Sequence, residues 1–284
     1  MSSMKKILLL SLALVLSFAL VTLVGCGEKL PQDEIDQIIA NVISAEYDTV
    51  SFDMEMPMTM KVVGGSEAGT MTMDVDGSGV IDLANEEMRM TMNMVMDIPG
   101  VGEQDMDAEV YIVGGWMYTK MALLGLGEQW SKMEVTEETW QQQNQVEPMV
   151  EFLETASGVN YLGSKTVNGT ECYLFEIVPD MEELGALLGQ ETTSMGMLDF
   201  SQFDIADLYK RLSVKEWIAK DSYLLMKVEI EMVLEMSASD LGATADDFDK
   251  MTMDVKIVEI FYNYNQPVSI DLPEEALGAE EMPY

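Results

Sequence analysis

The sequence predicts an α+β fold that is mainly antiparallel β, with about ten or eleven strands in one strongly curved sheet. Three observations predict it. Apolar and polar residues alternate with period two along most of the chain, the pattern of strands with one buried face. Turn dipeptides close these runs at short intervals, so strands adjacent in sequence should pair antiparallel. Helical spacing is confined to the start of the domain and to inserts after Val135 and after Val178, and no Pro-, Gly- or Ser-rich linker divides the chain. Twisted sheets with this many strands curl.

The elements follow in order. Ile35, Ile38, Ile39, Val42 and Ile43 recur at helical spacing behind Pro31, which predicts a short amphipathic helix. Val50, Phe52, Met54, Met56, Met58, Met60 and Val62 then alternate with polar residues in a long strand. Pro57 lacks a backbone donor, so it is expected at an edge or bulge. Looser alternation covers Thr70 to Leu83, and Met88, Met90, Met92, Met94 and Met96 mark a third strand, with turns at Gly64-Gly65 and Ala84-Asn85-Glu86. Strands around Ala108 to Val113 and Trp116 to Met121 flank Gly114-Gly115, a hairpin signal, and Gln129 to Val135 follows.

A helical insert is expected from Thr136, a plausible N-cap, to about Thr155, broken near Pro148. Tyr161 to Val167 and Thr170 to Val178 surround Asn168-Gly169, which favours a type I′ hairpin. Pro179 to Leu188 and Ile205 to Leu212 read as short helices. Strands at Ser213 to Lys220, Tyr223 to Met236, Met251 to Tyr264 and a short Val268 to Leu272 complete the sheet.

Ahead of the domain, Lys5 and Lys6 precede an apolar run that ends in Leu23-Val24-Gly25-Cys26. This reads as a bacterial-type lipobox, with residues 1–25 a signal peptide and 26–33 the acylated cysteine and a tether. Residues 34–284 form a single domain. Two or more acyl chains on Cys26 suffice for stable anchoring, which places the domain outside the cytoplasm on the outer face of the bacterial cell membrane.

The 284 residues carry 15 basic and 51 acidic side chains, a formal charge of −36. Such a chain repels nucleic acid, and no basic stripe compensates. Cys26 and Cys172 are the two cysteines. With Cys26 acylated, Cys172 is left as a buried thiol on a strand, and neither a disulfide nor a cysteine metal cluster can form.

Histidine is absent from the sequence, which removes the commonest general base, zinc ligand and nucleophile partner. Catalysis would rest on carboxylates, and no pair stands out among so many. The acidic stretch with Asp240, Asp246, Asp247 and Asp249 lacks the spacing of an EF-hand loop. The sequon Asn168-Gly169-Thr170 is accounted for by its turn. No cofactor is expected, and the chain is read as a non-enzyme.

The 27 methionines are the unusual feature. Their unbranched, polarizable side chains form a deformable apolar wall that repacks around ligands of varied shape. Ordinary packing of the sheet's inner face against a helix is the alternative. A minor one is copper(I) bound by thioethers in Met56-Pro57-Met58 and Met88-Arg89-Met90-Thr91-Met92, although strand alternation alone produces that spacing.

The order of lipobox, amphipathic helix ending in Ser44-Ala45-Glu46-Tyr47, long alternating strand, Val167-Asn168-Gly169-Thr170-Glu171-Cys172-Tyr173-Leu174, and Lys215-Glu216-Trp217-Ile218-Ala219-Lys220-Asp221-Ser222-Tyr223-Leu224 resembles the LolA, LolB and LppX-like lipoprotein superfamily. The resemblance implies an open half-barrel with helices across its concave face and an apolar cavity between. It also implies binding of lipid or lipidated cargo, although the chain departs from periplasmic carriers in its own anchor and in lacking a matching arginine. Apolar ligand contacts are expected from Phe52, Met54, Met56, Met58, Met60, Met88, Met90, Met92, Met94, Met96, Tyr173 and Phe175. A surface-displayed interaction module with a closed core is the alternative.

Overall fold

The computed structural model describes residues 29–65, 68–123, 127–136, 139–140, 150, 153, 156–181, 208–239 and 248–281. The lipobox, most of both inserted helical stretches, and Asp240, Asp246 and Asp247 lie outside the described residues.

One helix, α1 (Gln32–Ile43), is followed by β1 (Thr49–Val63), β2 (Gly69–Asp82), β3 (Glu87–Ile98), β4 (Gly102–Val113), β5 (Trp116–Leu123) and β6 (Gly127–Glu134). The second batch is β7 (Gly158–Val167), β8 (Thr170–Val178), β9 (Tyr209–Ala219), β10 (Leu225–Ser237), β11 (Lys250–Tyr262) and the two-residue β12 (Glu280–Glu281). All twelve form one curved, open sheet in the order β12-β6-β5-β4-β3-β2-β1-β11-β10-β9-β8-β7. β1–β6 and β7–β11 are each a meander, and the pairing of β1 with β11 joins them. β12 alone pairs parallel, with β6.

Turn chemistry accounts for the tight hairpins. Asn168 and Gly169 have φ of 47° and 87°, and Gly114 and Gly115 have 61° and 79°, the left-handed values that a type I′ turn requires.

Alternation assigns the faces. The inward set includes Val50 and Phe52 on β1, Ile81 on β2, Met88 and Met90 on β3, Val228 on β10 and Phe261 on β11, which share a core with Ile35, Ile38 and Val42 of α1. Helix α1 therefore lies across the concave face at one end of the sheet. Of its predicted apolar stripe, Ile39 only borders that core and Ile43 is exposed.

The convex face carries the charge. Lys215, Lys227 and Lys256 each lie 3.4 to 3.5 Å from the Glu229 carboxylate. Burial pushes that carboxyl up, but the ammonium groups of Lys256, Lys227 and Lys215 bring it net below the ordinary value.

Three expectations are corrected. Pro57 sits in an interior strand: it pairs with Asp74 of β2, and the ladder to β11 is interrupted at Met56 and Pro57, where the missing N–H falls. Tyr209 to Leu212 belong to β9, because the alternation of Leu212, Val214 and Glu216 extends the ladder with β10 as far as Tyr209 and Leu234. Val268 to Leu272 form no strand. They cross the convex face, where Ile270 packs on Val80 and Tyr111, and carry the chain to β12. With that addition the sheet has twelve strands. Thr136 does cap the next segment, its Oγ1 accepting from the Thr139 N–H at 3.1 Å.

Candidate functional site

The concave face is a grid whose rows are fixed by strand register. One row crosses ten strands: Met121, Ala108, Met92, Gly77, Met54, Glu259, Val228, Glu216, Phe175 and Tyr161. It divides the face. On the side of α1, the neighbouring row holds Phe52, Met90, Val110 and Phe261, all buried in the helix-covered core. On the other side the rows are dominated by methionine.

Those rows bring Met56 and Val75 together with Met94 and Met106, and Met58 and Met73 with Met96. Across the β1–β11 junction, Met60 faces Met253, Val62 faces Met251, and Met251 faces Met236. Most of these side chains are half-buried. Alternation on twisted strands puts them on one wall, and the mobility of methionine makes that wall adaptable.

The predicted contact residues thus share one face but fall into two groups. Phe52, Met88, Met90 and Phe175 are fully buried parts of the core. Met54, Met56, Met58, Met60, Met92, Met94 and Met96 are half-buried, and Tyr173 borders the core in an aromatic group with Tyr161 and Phe175. Sequence reasoning missed Met71, Met73, Met106, Met232, Met236, Met251 and Met253. The alternation rule finds them once strand phase is known.

It also missed Glu216 and Glu259. Glu216 is fully buried and Glu259 is 5% exposed. Both face inward, and Val228 lies between them in the row. Neither Glu216 Oε1 nor Oε2 has a hydrogen-bond partner, nor has Glu259 Oε2. A buried polar group left unpaired costs about 1–3 kcal/mol, and an ionised carboxylate costs more. Burial accordingly pushes the Glu216 carboxyl well above the usual carboxylate range and that of Glu259 up to about 7. The signal was available in Val214-x-Glu216-x-Ile218 and Ile257-x-Glu259-x-Phe261, where an acid occupies the apolar phase of a strand.

Beyond the end of α1 lies a cleft of about 360 Å³ whose wall includes Val42, Tyr47, Leu83, Tyr223, Leu225 and Tyr264. Tyr47 and Tyr264 meet edge to face at 5.1 Å, and the Tyr264 hydroxyl donates to the Leu225 carbonyl. Leu225 pairs with Ile218, two residues from Glu216, so the cleft adjoins the helix-covered side of the grid. Cys172 is a buried free thiol on the convex side, packed with Val167, Ala219 and Met226. No group of three or more His, Cys, Asp or Glu residues able to hold a metal occurs among the described residues. No described helix is long and apolar enough to cross a membrane.

The profile of a family of unknown function, DUF6612, matches residues 34–281. No curated protein matches the chain. Among solved structures, the chain is similar to the lipoprotein LppX of Mycobacterium tuberculosis, with 14% identity, a TM-score of 0.38, and coverage of 83% of this chain and 99% of that one. LprF of Mycobacterium bovis matches with 14% identity, a TM-score of 0.43, and coverage of 87% and 99%. A DUF1329 family protein of Desulfovibrio piger matches with 12% identity, a TM-score of 0.25, and coverage of 83% and 92%.

Proposed function

Since this chain belongs to the DUF6612 family, whose matched span takes in every strand of the sheet, we propose one function for the whole domain: an extracytoplasmic lipoprotein, anchored through Cys26, that binds a lipid or other apolar ligand without catalysis. The observation that carries this reading is the division of the concave face. A closed structural core would continue the buried packing seen under α1, whereas seven of the predicted methionines stand half-buried on the same wall. A wall of that kind suits an acyl chain of variable shape. At about 25 cal/mol per Å² of apolar area, one chain supplies several kcal/mol before ordering costs. The absence of histidine from the sequence supports binding over catalysis.

The test is to produce residues 27–284 in lipid-containing cells and examine the purified domain by native mass spectrometry and solvent extraction. A stoichiometric apolar molecule, lost in a folded Met58→Glu variant, is the expected result. A folded domain that carries nothing and takes up no fluorescent fatty acid would reject the reading and favour a closed interaction module.

A further inference from the structure

The apolar-ligand reading says nothing of a polar headgroup, and the concave face supplies one. Two carboxyl side chains, Glu216 and Glu259, are held at the same level of the sheet with a single strand, β10, between them. Two strand spacings put their Cα atoms roughly 10 Å apart, and on a concave face side chains converge. Both residues are more than nine-tenths buried, and three of their four carboxyl oxygens are recorded without a partner. The surroundings are apolar: Val228 between them, Phe175 beside Glu216 and Met54 beside Glu259.

The described strands keep their basic groups off this wall. Every Lys and Arg of the described strands occupies an outward register position, apart from Lys210, which is exposed at the bulge between β9 and β10. At the two acids themselves a phosphate or carboxylate headgroup would therefore meet carboxyl groups and no cation borne by a described strand. A basic nitrogen would meet acceptors on both sides. Next to Glu216 the aromatic group continues the same preference, with Tyr161 and Phe175 ring centroids 5.7 Å apart and Tyr173 and Phe175 6.1 Å apart. Aromatic faces attract cations, and Tyr173 already takes the Lys220 ammonium at 5.1 Å.

Resting on the apolar-ligand reading, we propose that Glu216 and Glu259 form a headgroup clamp selecting amphiphiles that carry a basic amine. The apolar tail lies against the methionine rows, and the nitrogen donates to the two carboxyl groups. The binding step balances simply. A cationic amine entering against a neutral carboxyl pairs with the carboxylate as that acid releases its proton to solvent. The phenols of Tyr47, Tyr161, Tyr173, Tyr223 and Tyr264 pack on the same core, the Lys220 ammonium lies over the Tyr173 ring, and Glu46 lines the adjoining cleft.

The experiment uses the full chain, immobilised on beads in a non-ionic detergent, with radiolabelled dodecylamine as the probe and unlabelled dodecylamine, dodecanol and dodecanoate as competitors. Dodecylamine should compete at least about tenfold better than dodecanol, as a charge-assisted contact requires. A Glu216→Gln, Glu259→Gln double variant should lose about that factor for the amine, so that amine and dodecanol then compete about equally. Equal competition by amine and alcohol, unaltered in the double variant, would overturn the clamp while leaving the apolar site standing. Failure of all three compounds to bind saturably would remove the apolar site and the clamp with it.

A second readout needs no variant. Calorimetry of dodecylamine binding near pH 6, in two buffers of different ionisation enthalpy, should reveal release of about one proton per amine bound. A heat independent of buffer would overturn the clamp.

Discussion

The Phe52 ring of β1 fills the space above Gly79 of β2. A Cβ built on that glycine would lie 2.5 Å from Phe52 Cζ and 2.8 Å from the Arg89 carbonyl oxygen. The two residues are register partners, and Phe52 is fully buried. A glycine inside a strand marks such a close approach. The ring thereby seats against the sheet under α1 and closes the helix-covered end of the concave face.

Gly79→Ala should therefore destabilise the fold by about 2 kcal/mol, the scale of an overpacked core. Adding Phe52→Leu should recover part of the loss, because the smaller side chain yields to the new methyl. Denaturant unfolding of the two single variants and the double variant checks this as a cycle. Strict additivity would reject the contact as the cause.

Glu259 makes stability depend on pH with a definite sign. Its carboxyl rises from the ordinary 4.5 to about 7 on folding, so between those values the folded chain keeps a proton that the unfolded chain has released. Its contribution to stability is greatest at low pH and falls as pH rises through that window. Glu259→Gln should remove about 2 kcal/mol of the change in unfolding free energy between pH 5 and pH 8. The lowered carboxyl of Glu229 acts in the opposite direction, so the informative quantity is the difference between wild type and variant.

Met90 and Met58 should separate packing from binding. Met90 is 6% exposed beneath α1, whereas Met58 is half-buried among the methionine rows. Met90→Ala should cost about 3 kcal/mol, within the usual range for a truncated core residue, and Met58→Ala about 1 kcal/mol. Met58→Ala should nevertheless reduce uptake of a fluorescent fatty acid more than Met90→Ala does. Thermal unfolding and a binding titration on the same samples decide it.

Gly169 turns the β7–β8 hairpin at a φ of 87°, with nothing within 4 Å of a built Cβ. Gly169→Ala should cost about 1 kcal/mol through backbone strain alone, since a left-handed residue disfavours a side chain even in open space. A shift in the denaturant midpoint with an unchanged slope would agree with that origin.

Much of this was legible in the sequence, and the reasons are physical. Period-two alternation requires no knowledge of neighbours, so β1, β3 and β8 could be read from their own residues. The Asn168-Gly169 hairpin followed from a backbone preference of two residues. Pro57 was misplaced because the rule against proline inside sheets assumes that both ladders must be complete, and this sheet leaves the β11 ladder open at that point. Tyr209 to Leu212 were misread because their helical and strand patterns are alike over so short a run, and the partner that decides between them is Leu234 on another strand.

The sequence by itself determined the class of fold, the meander of each strand batch, the apolar and polar faces, and the methionine character of the inner wall, because local alternation and turn chemistry are properties of consecutive residues. Only the tertiary structure decided which methionines are core and which remain half-buried, since that depends on where α1 crosses the sheet. It also decided the register that aligns Glu216 with Glu259. Those acids come from strands that are not neighbours, and only the ladders through β10 set them in one row. Two glutamates distant in sequence thereby become one buried feature.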